Sequence, residues 1–190
     1  MPKTSSTKTT TARVKAAPKP TQPLPPNPFQ SEILELISKS RSRNKKVELL
    51  REYRNDALVS LLIWNFDESV VSMLPQGAVP YKPNEAPKGT EHTSLRQEQK
   101  SFYNFVLGGN DKLSKTRRET IFIQMLEGLH PEEAYLLILV KDKLLTDRYN
   151  INLGQVQEAY PDIEWGNRNP KKPAQPSRAG DESLGQQGPR

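Results

Sequence analysis

Between Ala57 and Phe66 the chain carries Leu58, Val59, Leu61, Leu62, Ile63, Trp64 and Phe66, which cover nearly the whole circumference of a helix. A helix of that kind has no solvent face and belongs in the centre of a core. A second apolar run extends from Ala134 to Val140. Taken alone it also suits a buried strand. Pro131-Glu132-Glu133 ahead of it and Lys141-Asp142-Lys143 behind it favour a second central helix: proline suits the first helical position, and carboxylates suit the positive end of the helix dipole.

The remaining segments supply amphipathic helices to surround such a pair. Phe29, Ile33, Leu34 and Ile37 lie on one helical face, as do Val47, Leu50 and Tyr53, with Leu49 beside them. Asp67 to Leu74 reads as one more short turn, with Asp67 as its N-cap. Helix resumes near Thr93, with Leu95, Phe102, Phe105 and Val106 inward and Gly108-Gly109 as its stop. Thr116-Arg117-Arg118-Glu119 matches a capping box ahead of Ile121, Phe122, Met125, Leu126 and Leu129. A last helix runs from about Leu153 to just before Pro161. The fold class is all-α: one compact domain of six to eight helices with a Pro-rich strap loop, flanked by disordered tails.

Proline and charge set the domain limits. Eleven of the 17 prolines lie at or before Pro28 or after Gly166. Residues 1–28 carry a net +5 and residues 166–190 a net +3, leaving −2 for residues 29–165. Both tails are poor in large apolar residues, so burial cannot offset the entropy of ordering them. The division expected is a basic tail over 1–28, a helical domain over 29–165 and a second basic tail over 166–190. A basic chain ordinarily suggests a nucleic-acid partner, but here that argument applies to the tails.

Cysteine is absent, which excludes disulfides, thiolate metal sites and a cysteine nucleophile. The chain lacks an apolar run of the ~18 residues that span a bilayer, and its basic N-terminus leads into Thr, Ser and Pro rather than a signal-type apolar stretch. The expectation is a soluble intracellular protein with no membrane partner.

Catalytic chemistry is not assembled anywhere in the sequence. His130 precedes Pro131 at a helix start, where it reads as a cap or as a simply exposed side chain, not as a general base. His92 lies in a polar loop beside Glu91, and no His or Cys cluster completes a metal set. Leu107-Gly108-Gly109-Asn110-Asp111 lacks the Gly-Lys-Ser/Thr of a phosphate loop. The expectation is a non-enzyme with no cofactor, no metal and no small-molecule substrate.

Two candidate surfaces remain. Met73-Leu-Pro-Gln-Gly-Ala-Val-Pro-Tyr-Lys-Pro83 is stiff enough to pack as a strap or to offer a preorganised docking strip. Its partner-binding candidates are Leu74, Pro75, Gly77, Pro80, Tyr81, Lys82 and Pro83. Two basic turns, Arg41, Arg43, Lys45 and Lys46 and then Lys115, Arg117 and Arg118, are the alternative, as phosphate contacts for nucleic acid. Glu48, Glu52 and Glu119 lie close by in sequence and would offset them.

Phe66-Asp67, Leu74-Pro75-Gln76-Gly77, Pro80-Tyr81-Lys82-Pro83, Thr116-Arg117-Arg118-Glu119, Leu126-Glu127-Gly128-Leu129-His130-Pro131 and Val140-Lys141-Asp142-Lys143-Leu144 follow one another in order. Together they resemble a family of small uncharacterised proteins from T4-like tailed phages, including those of marine cyanobacteria, over roughly residues 31–163. This chain departs in Glu68, where the family pattern has proline, and in its two tails. The resemblance implies an origin, a phage protein made in the bacterial host cytoplasm, with virion association left open. It implies no activity. The functional expectation is a protein-interaction adaptor acting on a phage, host or virion protein. The alternative is a nucleic-acid-associated protein that uses its basic tails.

Overall fold

The computed structural model describes residues 24–168. The expected disorder of both tails therefore concerns stretches that lie for the most part outside the described residues. The described residues form eight α-helices: α1 (Gln30–Lys39), α2 (Arg43–Glu52), α3 (Asp56–Phe66), α4 (Leu95–Glu98), α5 (Lys115–Gly128), α6 (Pro131–Lys141), α7 (Leu145–Tyr149) and α8 (Leu153–Ala159). A 3₁₀ segment, Gln99–Phe105, continues α4. The described residues contain no strand, and a lone antiparallel bridge pairs Ser72 with Val106.

The two apolar runs are α3 and α6, and they pack against each other. Leu58, Leu61 and Leu62 of α3 and Leu136, Leu137 and Val140 of α6 are fully buried. Each contributes on the order of 1.5–3 kcal/mol by leaving water. Around them α1 contacts α2, α6 and α7, while α2 lies along α8. Trp64 stacks on Phe105 at 6.1 Å between centroids, and Phe105 meets Phe122 edge-on at 5.1 Å, joining α3, the 3₁₀ segment and α5.

Side-chain caps define most helix starts. Asn55 Oδ1 accepts the Leu58 N–H at 3.0 Å, and Asn152 and Gln155 cap each other's backbone at 3.0 and 3.2 Å. His130 is the N-cap of α6, its Nδ1 accepting the Glu132 N–H at 3.2 Å while its ring stacks on Phe29.

Three local expectations are corrected. Asp67 is the C-cap of α3 rather than the N-cap of a further turn, and the chain after it is extended enough for Met73 N–H to reach Phe105 O at 2.7 Å. The Thr93–Val106 stretch is one α-turn followed by 3₁₀ helix, because Val106 leaves the helix to bridge Ser72. The cap of α5 is Ser114, whose Oγ accepts the Arg117 N–H at 3.3 Å, instead of Thr116. Gly109 is needed where the chain turns back: a Cβ there would fall 1.9 Å from the Tyr103 carbonyl oxygen.

Candidate functional site

The Pro-rich segment lies against α5 and α6 and is held from beneath by charged side chains. The Lys141 ammonium is buried and donates to Pro75 O at 3.0 Å, Gly77 O at 2.9 Å and Asp142 Oδ1 at 2.7 Å. Asp142 Oδ2 accepts the Gly77 N–H at 3.2 Å, and Glu127 Oε1 accepts the Lys82 N–H at 3.2 Å. These bonds satisfy backbone groups that a proline-interrupted segment cannot pair internally.

The candidate docking residues therefore divide by burial. Leu74 is buried in the core, which corrects its assignment to a contact strip. Tyr81 is half-buried against the core, and that burial raises its phenol pKa. Pro75, Gly77, Pro80, Lys82 and Pro83 are exposed. Between Leu74–Pro80 and α5 lies a shallow groove of about 90 Å³, lined also by Phe122, Ile123, Glu119 and Lys141.

Two of the seven basic-turn residues are buried within the fold. Lys46 is buried, its ammonium donating to Asn150 O at 2.5 Å. Arg118 is buried and its guanidinium donates to the carbonyls of Asn104, Asn110 and Leu113 at 2.7, 3.0 and 3.1 Å. Both are corrected from phosphate contacts to ties between segments. Arg43 pairs with Glu158, Lys45 with Glu48 and Lys115 with Glu119. Arg41 and Arg117 are exposed and form no ion pair among the described residues.

The burial of two carboxylates escaped the sequence reading. Glu133 lies in the first turn of α6 and is 1% exposed; Oε1 accepts the Gln30 N–H at 2.9 Å and Oε2 the Leu95 N–H at 3.0 Å. Burial raises its pKa against the opposing pull of those two bonds. Asp67 accepts from Ser69 N–H and Oγ–H at 2.8 and 2.6 Å, from Gly166 N–H at 3.2 Å and from Arg168 Nη1 at 2.5 Å. Burial pushes its pKa up, but the bonds from Ser69, Arg168 and Gly166 together outweigh burial and hold it below the ordinary value. Glu133 is held by two backbone amides far away in sequence, and Asp67 joins nearby Ser69 to distant Gly166 and Arg168, so residue spacing carries no signal of the long-range bonds.

Among the described residues no three His, Cys, Asp or Glu side chains gather to hold a metal ion. None of the described helices is long and apolar enough to cross a membrane. Neither the curated proteins nor the solved structures hold a match to this chain. Residues 33–147, from α1 to within α7, match the model of DUF6433, a family of unknown function, and the chain belongs to that family.

Proposed function

We propose that the chain is a non-enzymatic adaptor of tailed-phage origin that binds a phage, host or virion protein in the bacterial cytoplasm. Its contact strip is the exposed part of Pro75–Pro83. The observation that carries this reading is the support beneath the strip: Lys141, Asp142 and Glu127 bond its backbone and leave Pro75, Gly77, Pro80 and Lys82 facing solvent. A segment ordered before binding loses little conformational entropy when a partner docks.

The test is affinity capture of the tagged full chain from infected cells after nuclease treatment, beside Pro80→Ser and Lys82→Glu variants. Both side chains are exposed, so the variants should keep the native melting temperature while losing the partner. A partner recovered equally well by all three chains would place the contact elsewhere. Tyr81→Ala is a poorer probe, because removing a half-buried ring costs stability as well as surface.

Nucleic acid is the second reading and rests on the basic tails. The burial of Lys46 and Arg118 weakens its contribution from the helical domain. If the five cations of residues 1–28 neutralised phosphates, binding would follow a log–log salt slope of roughly −3.5 to −4.5. A salt-independent interaction would eliminate it.

A further inference from the structure

The Pro-rich segment and α5 lie side by side, and the groove between them carries opposite charge at its two ends. Glu119, Ile123 and Glu127 recur every four residues and so share one face of α5. Glu119 and Ile123 line the groove together with Pro75, Ala78, Val79 and Pro80. One helical turn further on, Glu127 accepts the Lys82 N–H, so the segment runs parallel to α5. Leu74 and Phe122 are buried and serve only as the floor. The surface open to a partner is formed by exposed Pro75, Ala78 and Pro80 with half-buried Val79 and Ile123.

At one end the Glu119 carboxylate meets Lys115 at 4.0 Å, a loose surface pair that leaves it free to take a second cation. At the other end the Lys82 side chain is exposed and forms no ion pair among the described residues, while the adjacent Glu127 carboxylate bonds the Lys82 backbone. These ends lie ~12 Å apart, taking the step from Glu119 to Glu127 at 1.5 Å per residue of helix. Ile123 marks the apolar midpoint. An extended chain advances ~3.3 Å per residue and covers that distance in about four residues.

Building on the adaptor reading, we propose that this groove seats an extended protein segment with a cation, an aliphatic side chain and a carboxylate at alternate positions. The cation pairs with Glu119, the aliphatic group packs over Ile123 and the carboxylate pairs with Lys82. Side chains at i, i+2 and i+4 of an extended chain project to one side, so a single face of the segment meets all of these groups. A groove of about 90 Å³ has room for one aliphatic side chain, which sets the number of anchors. Its wall is fixed in advance by Lys141, which bonds the carbonyls of Pro75 and Gly77. Nucleic acid is a poor fit, because its backbone brings no cation to Glu119.

The test titrates the isotope-labelled full chain with capped synthetic peptides and follows backbone amide shifts by NMR. The peptide Gly-Arg-Ser-Leu-Ser-Glu-Gly should move the amides of Gly77, Ala78, Lys82 and Ile123. Replacing its Leu by Ser should weaken binding by about tenfold. Replacing its Glu by Arg should weaken binding by about fivefold. In the Lys82→Glu chain that preference should invert, with the Arg-ended peptide binding more tightly than the Glu-ended one. A general loss of folding cannot produce such an inversion. Absence of shifts with every peptide, shifts centred away from the groove, or a ranking unchanged by Lys82→Glu would overturn the proposal. Its failure is separable from that of the adaptor reading. A cellular partner whose capture needs Pro80 but is unaffected by Glu119→Gln would keep the adaptor and overturn the charge pattern. Peptide binding in the groove with capture indifferent to Pro80→Ser would uphold the groove's preference and refute the adaptor.

Discussion

The Glu133 carboxylate accepts the backbone N–H of Leu95 at 3.0 Å, across 38 residues of sequence. Its other oxygen takes the Gln30 N–H, so one side chain serves the first residues of α1 and α4 from within the first turn of α6. Free N–H groups at helix starts are the donors most in need of a partner, and the positive ends of the helix dipoles favour a carboxylate there.

Glu133→Ala would leave two buried amides unpaired, at a cost of about 2–5 kcal/mol. Glu133→Gln would retain one acceptor and set an NH₂ group against the second amide, so its cost should be smaller but still measurable. Urea unfolding of the full chain followed by circular dichroism gives both values. An alanine variant as stable as the native chain would mean these bonds are replaced by water at no cost.

Lys141 fixes the Pro-rich segment, and Lys141→Met tests that role while keeping much of the buried stem. The carbonyls of Pro75 and Gly77 would lose their donor, with a loss of about 1–3 kcal/mol. Hydrogen exchange at the Gly77 amide should accelerate more than exchange in α3. Equal acceleration at both sites would mean the lysine supports the whole fold and not that segment in particular.

Asp67 makes stability depend on acid. Its folded-state pKa lies below the ordinary 3.8. The stabilisation it provides is therefore complete above that ordinary value and is lost as pH falls through the folded value. Asp67→Asn should be less stable than the native chain at pH 7, by about 1–3 kcal/mol, and the difference should shrink below pH ~3.8. A difference that stays constant down to pH ~2 would show that the carboxylate's charge is irrelevant to the Gly166–Arg168 contacts.

Gly109→Ala forces a Cβ to within 1.9 Å of the Tyr103 carbonyl oxygen, a backbone atom that cannot rotate away. Overpacking of this kind costs typically about 1–3 kcal/mol. A lowered thermal midpoint is expected. An unchanged midpoint would mean the turn after Val106 relaxes freely.

Much of the architecture was legible before any coordinates. The central helices α3 and α6 follow from runs that leave no face for solvent, and α1, α2 and α5 follow from apolar residues at helical spacing. Pro131 with Glu132 and Glu133 marked the start of α6 to the residue. The stretch from Thr93 to Val106 was legible only as helix. Its 3₁₀ form and its abrupt end follow from Phe102 and Phe105 packing near Trp64 and from the pairing of Val106 with Ser72, a contact between distant segments.

Apolar spacing along the chain determined the fold class and the identity of the central helices, because the hydrophobic effect acts on local periodicity wherever a partner surface exists. Charged positions were a different matter. From sequence Lys46 and Arg118 read as candidate phosphate contacts and Glu133 and Lys141 as charges flanking a helix, yet each is buried and bonded to backbone groups of other segments. Whether a charge can leave water depends on donors or acceptors placed within about 3 Å of it. Only the tertiary structure sets those distances, and so it alone decided which cations were available to a partner and which already held the fold together.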